Sequence, residues 1–199
     1  NDTAVRLLHF LFNRTGRRKK KHIITRAQAY HGSTFLTASL SGKFADRTDL
    51  DLLEGQVHHL SSVDPYRRPA GMTVAEFCDQ RVAELENKIL ELGPDTVAGF
   101  IAEPVLASGG VIVPPSGYHA RTLEICRRYG VKYISDEVVT GFGRLGHVFA
   151  SEAVFGIEPD VITCAKGLTS GYVPLGAAIV SERLCREASG GESAIFSHG

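Results

Sequence analysis

Short apolar runs alternating with helical periods restrict this chain to one broad architecture. Residues 22–26, 97–102, 131–136, 160–164 and 175–180 have the length and the β-branched or aromatic content of buried strands. Helical spacing fills much of the chain around them. Ala4, Val5, Leu7, Leu8, Leu11 and Phe12 mark one helix, with Gly16 as its stop. Val74, Phe77, Val82, Leu85, Ile89 and Leu92 mark a second, opened by a Thr73/Glu76 capping box and ended near Gly93. Ala120, Leu123, Ile125 and Cys126 mark a third, with Ser116 as its expected cap. Strands separated by helices predict an α/β domain with a mainly parallel sheet, because parallel neighbours need a crossover between them.

Composition narrows the function classes. A chain of 199 residues, 43% hydrophobic, suffices for one sizeable core or one domain with an appendage. Formal net charge is zero, so bulk charge gives no case for nucleic acid or a membrane surface. No apolar run approaches the roughly 20 residues of a membrane span, and Arg6 and His9 interrupt any secretory pattern. Cys78, Cys126, Cys164 and Cys185 are widely spaced and form no metal-type pair, which predicts reduced thiols in a cytoplasmic protein. The basic run Arg17-Arg18-Lys19-Lys20-Lys21-His22 reads as a solvated surface turn. Residues 33–72, rich in turn signals, read as an excursion over the surface, and the adjacent His58-His59 within them as structural.

Two strand ends carry the chemistry. Asp136 closes the run at 131–136, and Lys166 follows the run at 160–164. In open α/β sheets ligands bind beyond the carboxyl ends of strands, so both side chains are expected on one rim. A buried carboxylate is costly without a cationic partner, and a lysine in a dry pocket loses its proton and becomes nucleophilic. Pyridoxal phosphate uses both, an anion for its ring nitrogen and a lysine for its aldehyde. Alone, an Asp at a strand end is more often a turn former, and a Lys before Gly more often a solvated side chain. Their order along one chain favours the paired role.

The motifs Ile134-Ser135-Asp136-Glu137-Val138-Val139-Thr140-Gly141-Phe142-Gly143-Arg144 and Thr163-Cys164-Ala165-Lys166-Gly167-Leu168-Thr169-Ser170-Gly171-Tyr172-Val173-Pro174-Leu175-Gly176 resemble the cofactor core of class III, omega-amino-acid-type aminotransferases. The resemblance extends over nearly the whole chain. It implies the fold-type-I large domain, a mainly parallel sheet with one antiparallel member and helices on both faces. It implies pyridoxal 5'-phosphate as cofactor, amine and oxo-acid substrates, and a homodimer. Lys166 would bond the cofactor and move the substrate proton, Asp136 would pair with the ring nitrogen, and Val138 would pack on one ring face. The turn Tyr30-His31-Gly32 would bring Tyr30 onto the other face, with His31 and Gly32 shaping the turn, and Glu103 would stand on the substrate side, where it can hold an Arg. The chain departs from relatives such as ornithine aminotransferase at Val139, where they carry a Gln that reaches the cofactor's phenolic oxygen. By the same resemblance residues 1–199 are the central, incomplete part of that domain. The Gly-Ser phosphate turn is expected before Asn1, a phosphate-reaching Thr just after Ser197-His198-Gly199, and a small domain after that.

Other readings share some of these residues. Gly141-Phe142-Gly143-Arg144-Leu145-Gly146 is formally a dinucleotide fingerprint, but the segment after it is short and broken at Gly156, and Asp160 comes early and before its strand. A non-catalytic or incomplete fragment is a second alternative. Aminomutases and racemases of the same fold are a third, which these motifs do not separate from aminotransferases.

Overall fold

A computed structural model describes residues 1–189; Ser197-His198-Gly199 and the contact expected just after them lie outside the described residues. Helix α1 (Asp2–Arg14) precedes strand β1 (His22–Arg26), short helix α2 (Phe35–Leu40) and strand β2 (Val57–Leu60). Helix α3 (Val74–Leu92) leads to β3 (Val97–Ala102), α4 (Tyr118–Arg128) to β4 (Lys132–Asp136), and α5 (Ala150–Ala153) to β5 (Val161–Cys164). A 3-10 turn (Lys166–Thr169) lies between β5 and β6 (Ala177–Val180), and α6 (Glu182–Ser189) comes after β6.

The strands make one six-stranded sheet in the order β2-β1-β3-β4-β5-β6. All neighbours are parallel except β6, which runs antiparallel to β5. Every residue of β3 and β4 is buried, as expected for strands covered on both faces. Successive side chains serve opposite cores. Ile24, Phe100 and Tyr133 pack against Val82, Leu85 and Ile89 of α3 and Leu123 of α4. Ile23, Ile101 and Ile134 pack against Leu8 and Leu11 of α1 and Leu184 of α6. Each such side chain contributes roughly 2 kcal/mol when fully buried.

The strand order also locates the site. The chain leaves β1 for β2 on one side, then returns over α3 to β3 on the other, so the direction of winding reverses between β1 and β3. A crevice forms at the carboxyl ends where strand order reverses in this way.

Three local expectations need correction. The segment 33–72 is more than a surface excursion, because it holds α2 and β2, the latter paired with β1 through Ile23 and Val57. Its histidines break the apolar pattern that would announce a strand, and as an edge strand β2 is only partly buried. Ser116 does not cap α4. The cap is Gly117 at φ +80°, and the turn before it closes through the Tyr118 N–H to the Pro115 carbonyl, which leaves Ser116 exposed. By contrast the Thr73/Glu76 capping box on α3 forms in both directions.

The basic run is not all solvated. Lys20 is only 4% exposed, and its ammonium donates to the carbonyls of Pro94 at 2.8 Å, Val97 at 3.0 Å and Gly130 at 3.1 Å. It ties the entrance of β1 to those of β3 and β4. Lys20→Met leaves these acceptors without their donor, and should lower the unfolding free energy by about 3 kcal/mol. A fall in the urea midpoint at unchanged m-value checks this.

Candidate active site

At the carboxyl ends of β1, β3, β4 and β5 lies a cavity of about 470 Å³ lined by Asn1, Tyr30, His31, Gly32, Glu103, Ala107, Ser108, Asp136, Val138, Val139 and Lys166. All seven site residues expected from the sequence are in this lining. Parallel pairing of β4 with β5, with Asp136 opposite Thr163, sets the carboxylate and the lysine on adjacent strand ends.

Asp136 is 2% exposed and has a fixed set of donors. Its Oδ2 accepts from His31 Nδ1 at 2.7 Å and from Asn1 Nδ2 at 2.7 Å; its Oδ1 accepts from the Val138 N–H at 3.1 Å. Burial pushes this carboxyl up, but the His31 hydrogen bond and charge, the Val138 N–H and the Asn1 amide together bring it below the ordinary Asp value. His31 is itself oriented by Thr25, whose Oγ1 lies 3.2 Å from Nε2, and by Ser41, whose Oγ accepts from its backbone N–H at 2.9 Å. Nδ1 therefore faces the carboxylate as a donor while Nε2 has a hydroxyl partner. The His31 ring thus does more than hold its own turn together.

Glu103, at the end of β3, braces the crevice. Its Oε1 accepts from the Tyr30 N–H at 2.9 Å and its Oε2 from the Ala107 N–H at 3.2 Å. Burial raises its pKa, opposed by His31 and the Tyr30 N–H. Buried Arg26 of β1 donates to the Glu103 backbone carbonyl at 2.6 Å. Gly32 has φ +128°, and a Cβ there would lie 2.5 Å from Thr37 Oγ1, so the turn needs glycine on both counts. Tyr30, held by its backbone, turns its ring to the cavity at 39% exposure.

Lys166 sits at φ +44°, left-handed backbone for a side chain-bearing residue. Such strain persists where the surroundings impose it, and it collects at functional sites. Gly167 beside it packs so close to Phe142 that a Cβ would lie 2.9 Å from Phe142 Cβ. Among the described residues the Lys166 amine has no hydrogen-bond or ion-pair partner, and the residue is exposed rather than enclosed in a dry pocket. It follows β5 at the open rim, where no other described element covers it.

Asn1 and Thr163 entered the site unannounced, because a single amide and a single hydroxyl carry no pattern in a sequence. Thr163 Oγ1 donates to Asn1 Oδ1 at 2.7 Å. The glycine fingerprint at 141–146 does not open a helix, as a dinucleotide site would need. The Phe142 N–H donates to the Val148 carbonyl and the Gly143 N–H to that of His147, closing a turn on itself, and α5 begins only at Ala150. Its first amides, Ala150 N–H and Ser151 N–H, go to the Glu137 carboxylate. A larger hollow of about 760 Å³ beside β6 contains no lysine among its lining residues.

The family described as Aminotransferase class-III matches residues 1–199. The chain belongs to the class-III aminotransferases. Against a probable gamma-aminobutyrate transaminase 4 of Oryza sativa subsp. japonica it is 44% identical over 185 residues, 92% of this chain and 38% of that protein. A vanillin aminotransferase of Capsicum chinense is 45% identical over 92% of this chain and 40% of its own length. The omega transaminase of Pseudomonas jessenii, solved in complex with PMP, superimposes at TM-score 0.91 with 39% identity, over 96% of this chain and 42% of that one. The aminotransferase chain thus spans about two fifths of the length of the curated relatives it matches.

The held-down carboxyl of Asp136 has a consequence for stability. A group with a depressed folded pKa contributes stability above its unfolded value near 3.9 and loses it as pH falls through the folded value. His31→Phe removes the first donor, and should lower the unfolding free energy by about 2 kcal/mol at pH 7. The deficit should shrink as pH drops below the carboxylate range, since a protonated Asp136 needs that donor less. Guanidinium melts of both forms at neutral and acid pH check the sign.

Proposed function

We propose that the protein carrying this chain is a pyridoxal-phosphate-dependent aminotransferase, moving an amino group from an omega-amino acid or amine to an oxo acid such as pyruvate. One observation carries the reading. Lys166, whose amine has no partner among the described residues, and Asp136, held as an anion, line one cavity on adjacent parallel strand ends.

The donor set fits the cofactor. Asp136 has three donors, and a carboxylate offers about four acceptor sites, so one remains for a ring nitrogen that carries a proton. Tyr30 and Val138 line the same cavity with aromatic and apolar surface for the ring. When bound, pyridoxal phosphate supplies an aldehyde for the amine and a ring that accepts the electrons left when a proton leaves carbon.

The chain's own residues do the rest. Lys166 would hold the cofactor through its amine and, once that amine is free, would move the proton at the substrate carbon. Asp136 would hold the proton on the ring nitrogen. Glu103, on the same rim, faces the substrate side. The names of the relatives support a donor whose amine is remote from any carboxylate, gamma-aminobutyrate among them. We assign the exposed rim around Tyr30 and Lys166 to the partner subunit of a homodimer, and place the enzyme in the cytoplasm on its free cysteines.

The test is a borohydride-reducible visible band on mixing the full-length enzyme with pyridoxal phosphate, followed by a donor screen against pyruvate. Lys166→Ala should abolish the band and lower transfer by at least about a thousandfold, the combined loss of nucleophile and base. A band that survives in that variant sinks the assignment.

A further inference from the structure

Asn1 stands at the start of α1, where an asparagine side chain ordinarily caps the helix. It makes no such bond here. Instead Nδ2 donates to the His31 carbonyl at 2.7 Å and to Asp136 Oδ2 at 2.7 Å, while Oδ1 accepts from Thr163 Oγ1 at 2.7 Å. The amide orientation is dictated by the chemistry of its neighbours. Two acceptors face one end and a hydroxyl faces the other, so a flipped amide would set oxygen against oxygen.

From this we infer that Asn1 is a positioning residue for Asp136: a neutral donor that keeps the carboxylate ionised and turned, with its remaining acceptor site toward the ring nitrogen. The inference rests on the pyridoxal phosphate reading of the cavity. Each donor on Asp136 has a different character. The Val138 N–H is backbone and invariant to substitution. His31 is an imidazole whose second nitrogen is engaged by Thr25. Asn1 supplies a permanent donor without a charge of its own, and its two ends link the Tyr-His-Gly turn, β4 and β5. No other common side chain of this size offers donors and an acceptor in that arrangement. Aspartate has the same shape but sets a second carboxylate against the first, which raises the shared pKa.

A capping role and the positioning role predict opposite results for Asn1→Asp. Aspartate is as good a helix cap as asparagine and suits the helix dipole better, so under a capping role the variant is neutral or improved. Under the positioning role it is impaired. The experiment measures the affinity of the full-length enzyme for pyridoxal phosphate against pH, from the visible absorbance of the bound cofactor, for the parent, Asn1→Asp and Asn1→Ala. Circular dichroism confirms folding in each.

We expect the acid limb of cofactor binding to move up by about one pH unit or more in Asn1→Asp. We expect Asn1→Ala to weaken retention about tenfold at pH 7, as loss of a charge-assisted hydrogen bond would. Should Asn1→Ala fail to fold, the isosteric Asn1→Asp decides alone. A folded Asn1→Asp variant with the parent's affinity and acid limb overturns the inference and leaves the cofactor reading intact. A parent that takes up no pyridoxal phosphate overturns both.

Discussion

A carboxylate inside a protein must be surrounded by donors or give up its charge, and much of this site can be understood as the means of keeping Asp136 charged. The idealised cost of desolvating an isolated anion exceeds the stability of a domain this size. Three hydrogen bonds offset it, and each donor comes from a different part of the chain: Asn1 before α1, His31 after β1, and Val138 in the loop after β4. The donors meet only because α1 packs against the sheet through Leu8 and Leu11, and because β1 lies two places from β4 in the strand order. Electrostatics at the rim therefore depends on ordinary apolar packing several residues below it.

The reversal of winding between β1 and β3 gives the crevice its floor, and Glu103 spans that reversal. Its carboxylate takes the Tyr30 N–H from the β1 side and the Ala107 N–H from its own loop, while Arg26 of β1 holds its carbonyl. Glu103 thus fixes where the Tyr30 backbone stands, while the ring, with the Lys43 ammonium 5.8 Å from its centroid, belongs to a residue of the cavity lining. With two of about four acceptor sites in use, its carboxylate keeps capacity for a further donor.

What the sequence made legible was whatever repeats with a period or recurs as a motif. Alternation of strands and helices gave the α/β sheet, and Asp136 and Lys166 stood out because a strand end followed by a reactive side chain is a local pattern. The mixed character of the sheet came from the family resemblance alone, since Ala177-Ala178-Ile179-Val180 reads the same whether it runs with or against β5. Strand β2 was lost because His58 and His59 interrupt its apolar run, and both are engaged sideways, His58 with His22 and His59 with Arg47. The burial of Lys20 was equally hidden. Its three carbonyl partners come from residues 94, 97 and 130, and nothing in a run of basic residues distinguishes the one that turns inward.

Adjacent Asp136 and Glu137 show why position in a motif does not settle a role. Both carboxylates are buried, 2% and 0% exposed, and a sequence cannot rank them. Glu137 accepts from Ala150 N–H and Thr140 Oγ1 on Oε2, and from Ser151 N–H and Ser151 Oγ on Oε1. That fills about four acceptor sites, so Glu137 has none left to offer a ligand. Its whole capacity goes to closing the loop between β4 and α5. Asp136 has three donors and faces the cavity, so its charge is stabilised enough to persist and its valence is left incomplete. A functional carboxylate in such a fold is the one the protein solvates well but not fully, and the strand pleat, which turns neighbours to opposite sides, separates the two tasks.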